Sequence, residues 1–218
     1  WLHAGRKIAK GGHDAVIFCY WMSFMSPCFG TIARQIRKTG NTKCLSLVHN
    51  MMPHEPSILD RILPSFFVHS MQGFIAMSQS VLSEIALLEK KNTPKAFSPH
   101  PIYDHFGERL SREKALENLQ LDSSFRYVLF FGLIRTYKGL DILLDAFADK
   151  RLHNYPIKLL VAGEFYDDKQ PYLDQITNYG LSDKVILRDE YIPDSEVANY
   201  FSATDIVAQP YRSASQSG

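Results

Sequence analysis

Apolar residues along the chain fall into short blocks that are hydrophobic nearly throughout, separated by longer stretches in which they recur every three or four positions. A strand with one wet face alternates, whereas a strand covered by helices on both faces is apolar along its length, so the pattern predicts an α/β fold with parallel sheets. After a short helix remnant, DAVIFCYW (14–21) reads as the first strand. SPCFGTIARQIRKTG follows as a helix ending at Gly40, and KCLSLVHN as a strand with His49 at its carboxyl end. PSFFVHSM (64–71) reads as helical and GFIAMS (73–78) as a short strand. Ser78 is placed to cap QSVLSEIALLEKK, where Val81, Leu82, Ile85 and Leu88 share one helical face. PKAFSPHPIYDHFGE is a strand and then a connection rich in proline and histidine.

A second unit begins there, which divides the chain into residues 1–105 and 106–218. Ser111 is placed to cap a helix through REKALENLQL, and RYVLFFG is a buried strand. Leu140, Leu143, Leu144 and Phe147 then form one helical face. IKLLVAGE reads as a strand and PYLDQITNYG as a helix with Pro171 near its start and Gly180 at its end. VILRDEYI is a strand, DSEVANYFSA a helix and DIVAQPY a last strand. Both termini look cut, so the expectation is the middle of a longer protein, with each of its two domains incomplete.

Composition narrows the partners. The 218 residues carry 24 Lys and Arg against 23 Asp and Glu, which gives no global electrostatic reason for nucleic acid or an anionic membrane surface as partner, so any anion site must be local. The three cysteines, Cys19, Cys28 and Cys44, are odd in number and lack C-x-x-C spacing, against both a disulfide framework and a zinc site. This favours a reducing, cytoplasmic setting. No apolar run reaches the roughly 20 residues of a membrane span.

Ligands of open parallel sheets bind at the carboxyl ends of the strands. After RYVLFF come Gly132, Arg135 and Lys138; after IKLLVA come Gly163 and Glu164. After DIVAQP come Tyr211, Arg212, Ser213, Ser215, Gln216, Ser217 and Gly218. Two or three cations, several hydroxyls and the amides opening the helix at Gly139 suit phosphate oxygens. The spacing is neither G-x-G-x-x-G nor a Walker A loop, because Gly139 follows Lys138. In the first half, His49 ends a strand, and His54 and Glu55 lie in the loop beyond it; they could bond sugar hydroxyls, while lacking the helical spacing of a metal site. Trp21 could stack on a sugar or acceptor, although strand-end aromatics are more often core. His100 and His105 read as structural.

FFGLIRTYKGLDILLDAFA, KLLVAGEFYDD, VILRDEYIPDSEVANYFSATDIVAQPYRSASQSG and HNMMPHE resemble the group 1 glycosyltransferases, family GT4, and most closely their bacterial branch. The resemblance implies the GT-B architecture, two Rossmann-like domains facing across a cleft, and metal-independent, cofactor-free sugar transfer from a nucleotide-sugar donor with retention of configuration. It implies that Arg135 and Lys138 neutralise the donor diphosphate, that Gly132 lets the backbone approach it, and that His49 approaches the donor sugar. Glu164, Tyr211 and the Ser213–Gly218 segment would complete the donor site, and Trp21, His54 and Glu55 would face a glycan or lipid-linked acceptor. The implied setting is cell-surface polysaccharide or lipopolysaccharide assembly, in the cytoplasm or peripherally at the inner face of the membrane. Ser215 stands where the family's E-x7-E element has its first glutamate, and the second would fall beyond Gly218. A sugar-nucleotide-binding module without catalysis and a GT-B UDP-sugar epimerase therefore stay open as alternatives, and the chain by itself is expected to turn over poorly.

Overall fold

The apolar blocks become parallel strands in two sheets of four. The computed structural model describes residues 1–51, 58–89 and 92–212, and two units divide between Ile102 and Tyr103. The first contains α1 (Leu2–Ala9), β1 (Ala15–Tyr20), α2 (Ser26–Thr39), β2 (Lys43–Val48), α3 (Ile58–Val68), β3 (Gly73–Ala76), α4 (Gln79–Leu88) and β4 (Lys95–Phe97). Its strands lie in chain order β1-β2-β3-β4, every pair parallel. The second contains α5 (Arg112–Leu119), β5 (Arg126–Phe131), α6 (Leu140–Phe147), β6 (Ile157–Ala162), α7 (Gln170–Asn178), β7 (Val185–Arg188), α8 (Asp194–Ala203) and β8 (Ile206–Val207), with strand order β7-β6-β5-β8 and again only parallel pairs. Parallel neighbours need a crossover between them, which is why helices intervene.

In the second unit β5 and β6 bury both faces as the pattern predicts, whereas in the first unit β1 leaves Ala15, Ile17 and Cys19 exposed on one face, so its apolar run is covered on one side only. In the first unit the rings of Tyr20 and Phe67 stack at 4.2 Å, and the Tyr20 hydroxyl shares a 2.7 Å hydrogen bond with Ser26. Burial of the phenol pushes its pKa up to about 12. In the second unit successive residues of β5 point to opposite sides: Tyr127 and Leu129 pack with Leu116, Val197 and Tyr200, while Phe130 packs with Leu140, Leu144 and Ile176. The helix starts expected at Ser78 and Ser111 are present, their hydroxyls accepting from the amides of Val81 and Lys114, both at 3.2 Å.

Three boundaries differ from the pattern. The helix around PSFFVHSM starts at Ile58, so Pro64 lies inside it and forfeits an intrahelical hydrogen bond; the buried Phe67 and Val68 on its next turn compensate by packing. The strand expected over 185–192 stops at Arg188, where the chain turns polar and Asp189 pairs with Lys169. The last strand is only Ile206–Val207, and Pro210 just beyond has no N–H to extend the ladder.

What positions the loops is a close crossing of β5 and β6 at their carboxyl ends. Gly163 has φ +140°, and a Cβ there would stand 2.2 Å from the Gly132 carbonyl oxygen. Only glycine tolerates both the dihedral and the approach. Gly163→Ala is expected to lower stability by about 1–3 kcal/mol from backbone strain alone. Chemical denaturation reads this directly, and an unchanged midpoint would show that the crossing is not tight.

Candidate functional site

The β5–β6 pairing continues beyond the strands. Ile134 and Phe165 form an isolated parallel bridge, the Ile134 amide donates to the Glu164 carbonyl at 2.8 Å, and the Tyr166 amide donates to the Ile134 carbonyl at 3.0 Å. Arg135 is extended (φ −136°, ψ 152°) and opens a 3₁₀ turn over Thr136–Lys138, which Gly139 closes at φ +74° before α6 begins. A Cβ on Gly139 would fall 2.2 Å from the Pro210 carbonyl oxygen, so the segment after β8 runs directly against this turn. Three loops from three adjacent strands are thereby tied together.

Arg135 and Lys138 are both half-buried, and among the described residues neither has a carboxylate within ion-pairing distance. Burial, and then the charge of Arg135, push the Lys138 ammonium below the ordinary lysine pKa. Two unneutralised cations in a partly desolvated turn are a standing electrostatic cost, relieved by an anion that reaches both. Gly132, at φ +96°, is placed so that a Cβ would meet the Lys138 Nζ at 3.3 Å, and the missing side chain leaves the ammonium uncovered on that side.

Arg212, counted from the sequence among the candidate cations, has a different role. Its guanidinium is engaged by both carboxylate oxygens of Asp141 in the first turn of α6 and donates to the Thr136 carbonyl at 2.8 Å; its amide donates to the Tyr137 carbonyl at 2.8 Å. The same guanidinium holds the Asp141 carboxyl below the usual carboxylate range. Arg212 therefore braces the turn, and its charge is already matched. Tyr211 lies beside the cations, with the Lys138 Nζ 5.8 Å from its ring centroid and the Tyr137 ring 6.1 Å away. Glu164 is exposed at the end of β6 and contributes its carbonyl to the loop pairing.

In the first unit, His49 directly follows β2 and its amide donates to the Tyr20 carbonyl at 2.8 Å, so His49 and Trp21 stand at the same end of neighbouring strands. Trp21 is 54% exposed and is not a core residue. The His49 ring lies edge-on to His100 at 6.2 Å; burial first, and the neighbouring imidazole second, lower its pKa. His105 pairs with Asp194 at 3.6 Å within the second unit. His54, Glu55, Ser213, Ser215, Gln216, Ser217 and Gly218 lie outside the described residues.

In the loop after β6, sequence reasoning stopped at Glu164 and missed Tyr166 and Asp167. Tyr166 carries the Arg135 guanidinium on its ring, with Cζ 3.8 Å from the centroid, and the Asp167 carboxylate accepts from both the amide and the hydroxyl of Thr136 at 3.2 Å. The signal was available: FYDD follows the strand that neighbours β5, and a residue at that sheet end must face the Arg135 turn.

Residues 111–216 match the model of the glycosyl transferases group 1 family. No curated protein matches the chain by sequence. Among solved structures, sucrose-phosphate synthase from Thermosynechococcus elongatus is similar at a TM-score of 0.77 and 16% identity over 99% of this chain and 55% of its own. Anabaena HepE in complex with UDP and glucose is similar at 0.72 and 17% identity, over 95% and 56%. WaaG, a glycosyltransferase involved in lipopolysaccharide biosynthesis, is similar at 0.59 and 12% identity, over 89% and 74%. The chain spans about half the length of the first two. With two Rossmann-like units of four parallel strands each, the fold is that of the GT-B glycosyltransferases, and residues 111–216 are similar to the glycosyl transferases group 1 family.

Proposed function

We propose that the chain belongs to a retaining, metal-independent glycosyltransferase that moves a sugar from a nucleotide-sugar donor to a glycan or lipid-linked acceptor during cell-surface polysaccharide synthesis. The observation that carries this reading is the half-buried Arg135/Lys138 pair, unneutralised among the described residues and lowered in Lys138 pKa, at the carboxyl end of a parallel sheet. A diphosphate has the charge to neutralise both groups. UDP bound to HepE names the probe with which to begin.

In this reading Arg135 engages phosphate oxygens through its planar guanidinium, and Lys138 acts as a point charge on the same group. The bond between the anomeric carbon and the diphosphate oxygen breaks as the acceptor oxygen bonds to that carbon on the same face. The acceptor's hydroxyl proton passes to the departing diphosphate. Negative charge grows on the diphosphate during this step, so preorganised cations stabilise the transition state more than the bound donor. His49, whose neutral form is favoured by burial and by His100, is suited to a hydrogen bond with a sugar hydroxyl. Glu164 and Tyr211, with Ser213, Ser215, Gln216, Ser217 and Gly218, complete the donor side; Trp21, His54 and Glu55 belong to the acceptor side. The reaction is placed in the cytoplasm, with peripheral attachment at the membrane for a lipid-linked acceptor. Among the described residues no helix is long and apolar enough to cross a membrane.

Two outcomes are expected. Arg135→Ala weakens UDP binding by about 1.5–3 kcal/mol, the range for a hydrogen bond to a charged group. Calorimetric titration measures it, and an unchanged affinity would remove Arg135 from the site. In the intact parent protein, His49→Ala lowers turnover in a sugar-transfer assay more than it lowers donor affinity. Equal losses in both would assign His49 to binding or folding instead.

A further inference from the structure

Arg135 poses a problem that the donor reading leaves open. A guanidinium on a flexible side chain must be held in one orientation to grip an oxyanion in two-point fashion, and proteins commonly do this with a carboxylate. A carboxylate would also cancel the charge that the site requires. Arg212 shows that outcome after the neighbouring strand β8, in the same loop cluster: Asp141 fixes its guanidinium and takes up its charge. Asp167 is close enough in sequence to Tyr166 to do the same to Arg135, yet its carboxylate is turned to the Thr136 amide and hydroxyl.

The Arg135 guanidinium lies instead on the Tyr166 ring, 3.8 Å from its centroid. An aromatic face attracts a cation through its quadrupole and fixes the plane of the guanidinium while leaving the net charge intact. The backbone that carries the ring is held: the Tyr166 amide is bonded to the Ile134 carbonyl, one residue before Arg135, and the adjacent Phe165 bridges to Ile134. Backbone and side chain of the two loops are thus in register, and Tyr166 is 62% exposed, so core packing does not account for its placement.

We infer that Tyr166 is a positioning residue for the donor diphosphate, acting through Arg135 by presenting its guanidinium, charge undiminished, to the phosphate oxygens. This inference rests on the donor reading of the Arg135/Lys138 turn. It assigns no contact between Tyr166 and the nucleotide.

The test is a double-mutant cycle on UDP affinity, read by calorimetry in the chain and in its Tyr166→Phe, Tyr166→Leu, Arg135→Ala and Tyr166→Leu/Arg135→Ala variants, each checked for an unchanged melting temperature. Tyr166→Phe keeps the aromatic face and should bind UDP as the parent does. Tyr166→Leu keeps bulk without the quadrupole and should lose about 3- to 30-fold in affinity, the span of a cation–π contact from exposed to desolvated. In the Arg135→Ala background the leucine substitution should cost nothing further. Full UDP affinity in Tyr166→Leu, or a loss that persists without Arg135, would overturn the inference while leaving the donor reading standing. Unchanged affinity in Arg135→Ala, or no UDP binding by the parent chain, would overturn the donor reading and the inference with it.

Discussion

The arrangement of the second unit depends on how β5 and β6 meet at their carboxyl ends. The two strands stay paired past their last regular residues, because Gly163 allows an approach to the Gly132 backbone that a side chain would forbid, and the Ile134–Phe165 bridge then resumes the register. Everything chemical in the loop cluster hangs from that continuation. Arg135 leaves it at a fixed angle, Tyr166 returns to meet it, and Asp167 secures the turn between Arg135 and Lys138.

A parallel sheet covered on both faces exposes little except the loops at its ends, so function must be placed there. Here the ends differ in how their charges are treated. Arg126 and Arg112 both reach Asp205, and Lys184 is spent on the carbonyls of Leu152 and His153, at positions that serve the fold. Arg135 and Lys138 are held by backbone geometry and aromatic rings, so their charge remains available. In the proposed reading that contrast separates a structural cation from one left for an anionic ligand, and Arg212, although adjacent, falls in the first group.

Much of the fold was legible in the sequence because it rests on local rules. Uniformly apolar blocks mark parallel strands, with two-sided burial in β5 and β6 though not in β1, and the Ser78 and Ser111 caps mark helix starts that the structure contains. The group 1 resemblance of the second half was carried by the Arg135–Gly139 turn and the helix after it, within residues 111–216 where the family model matches. Side-chain partnerships were less legible. Arg135 and Tyr166 are distant in sequence and meet only because β5 and β6 are neighbours, and the same holds for Arg212 and Asp141. Pro64 inside α3 misled for the opposite reason, since tertiary packing of Phe67 and Val68 outweighed a local preference against proline.

The central claim is that the Arg135/Lys138 turn holds an unsatisfied positive charge intended for a diphosphate, and the most direct measurement is the titration of the Lys138 ammonium by NMR with and without UDP. In the free chain the charged form is disfavoured by burial and by Arg135, so its pKa should lie below the ordinary lysine value; bound diphosphate favours the charged form, so the pKa should rise on adding UDP. A free-chain pKa at the ordinary value, or one that UDP leaves unmoved, would contradict the account.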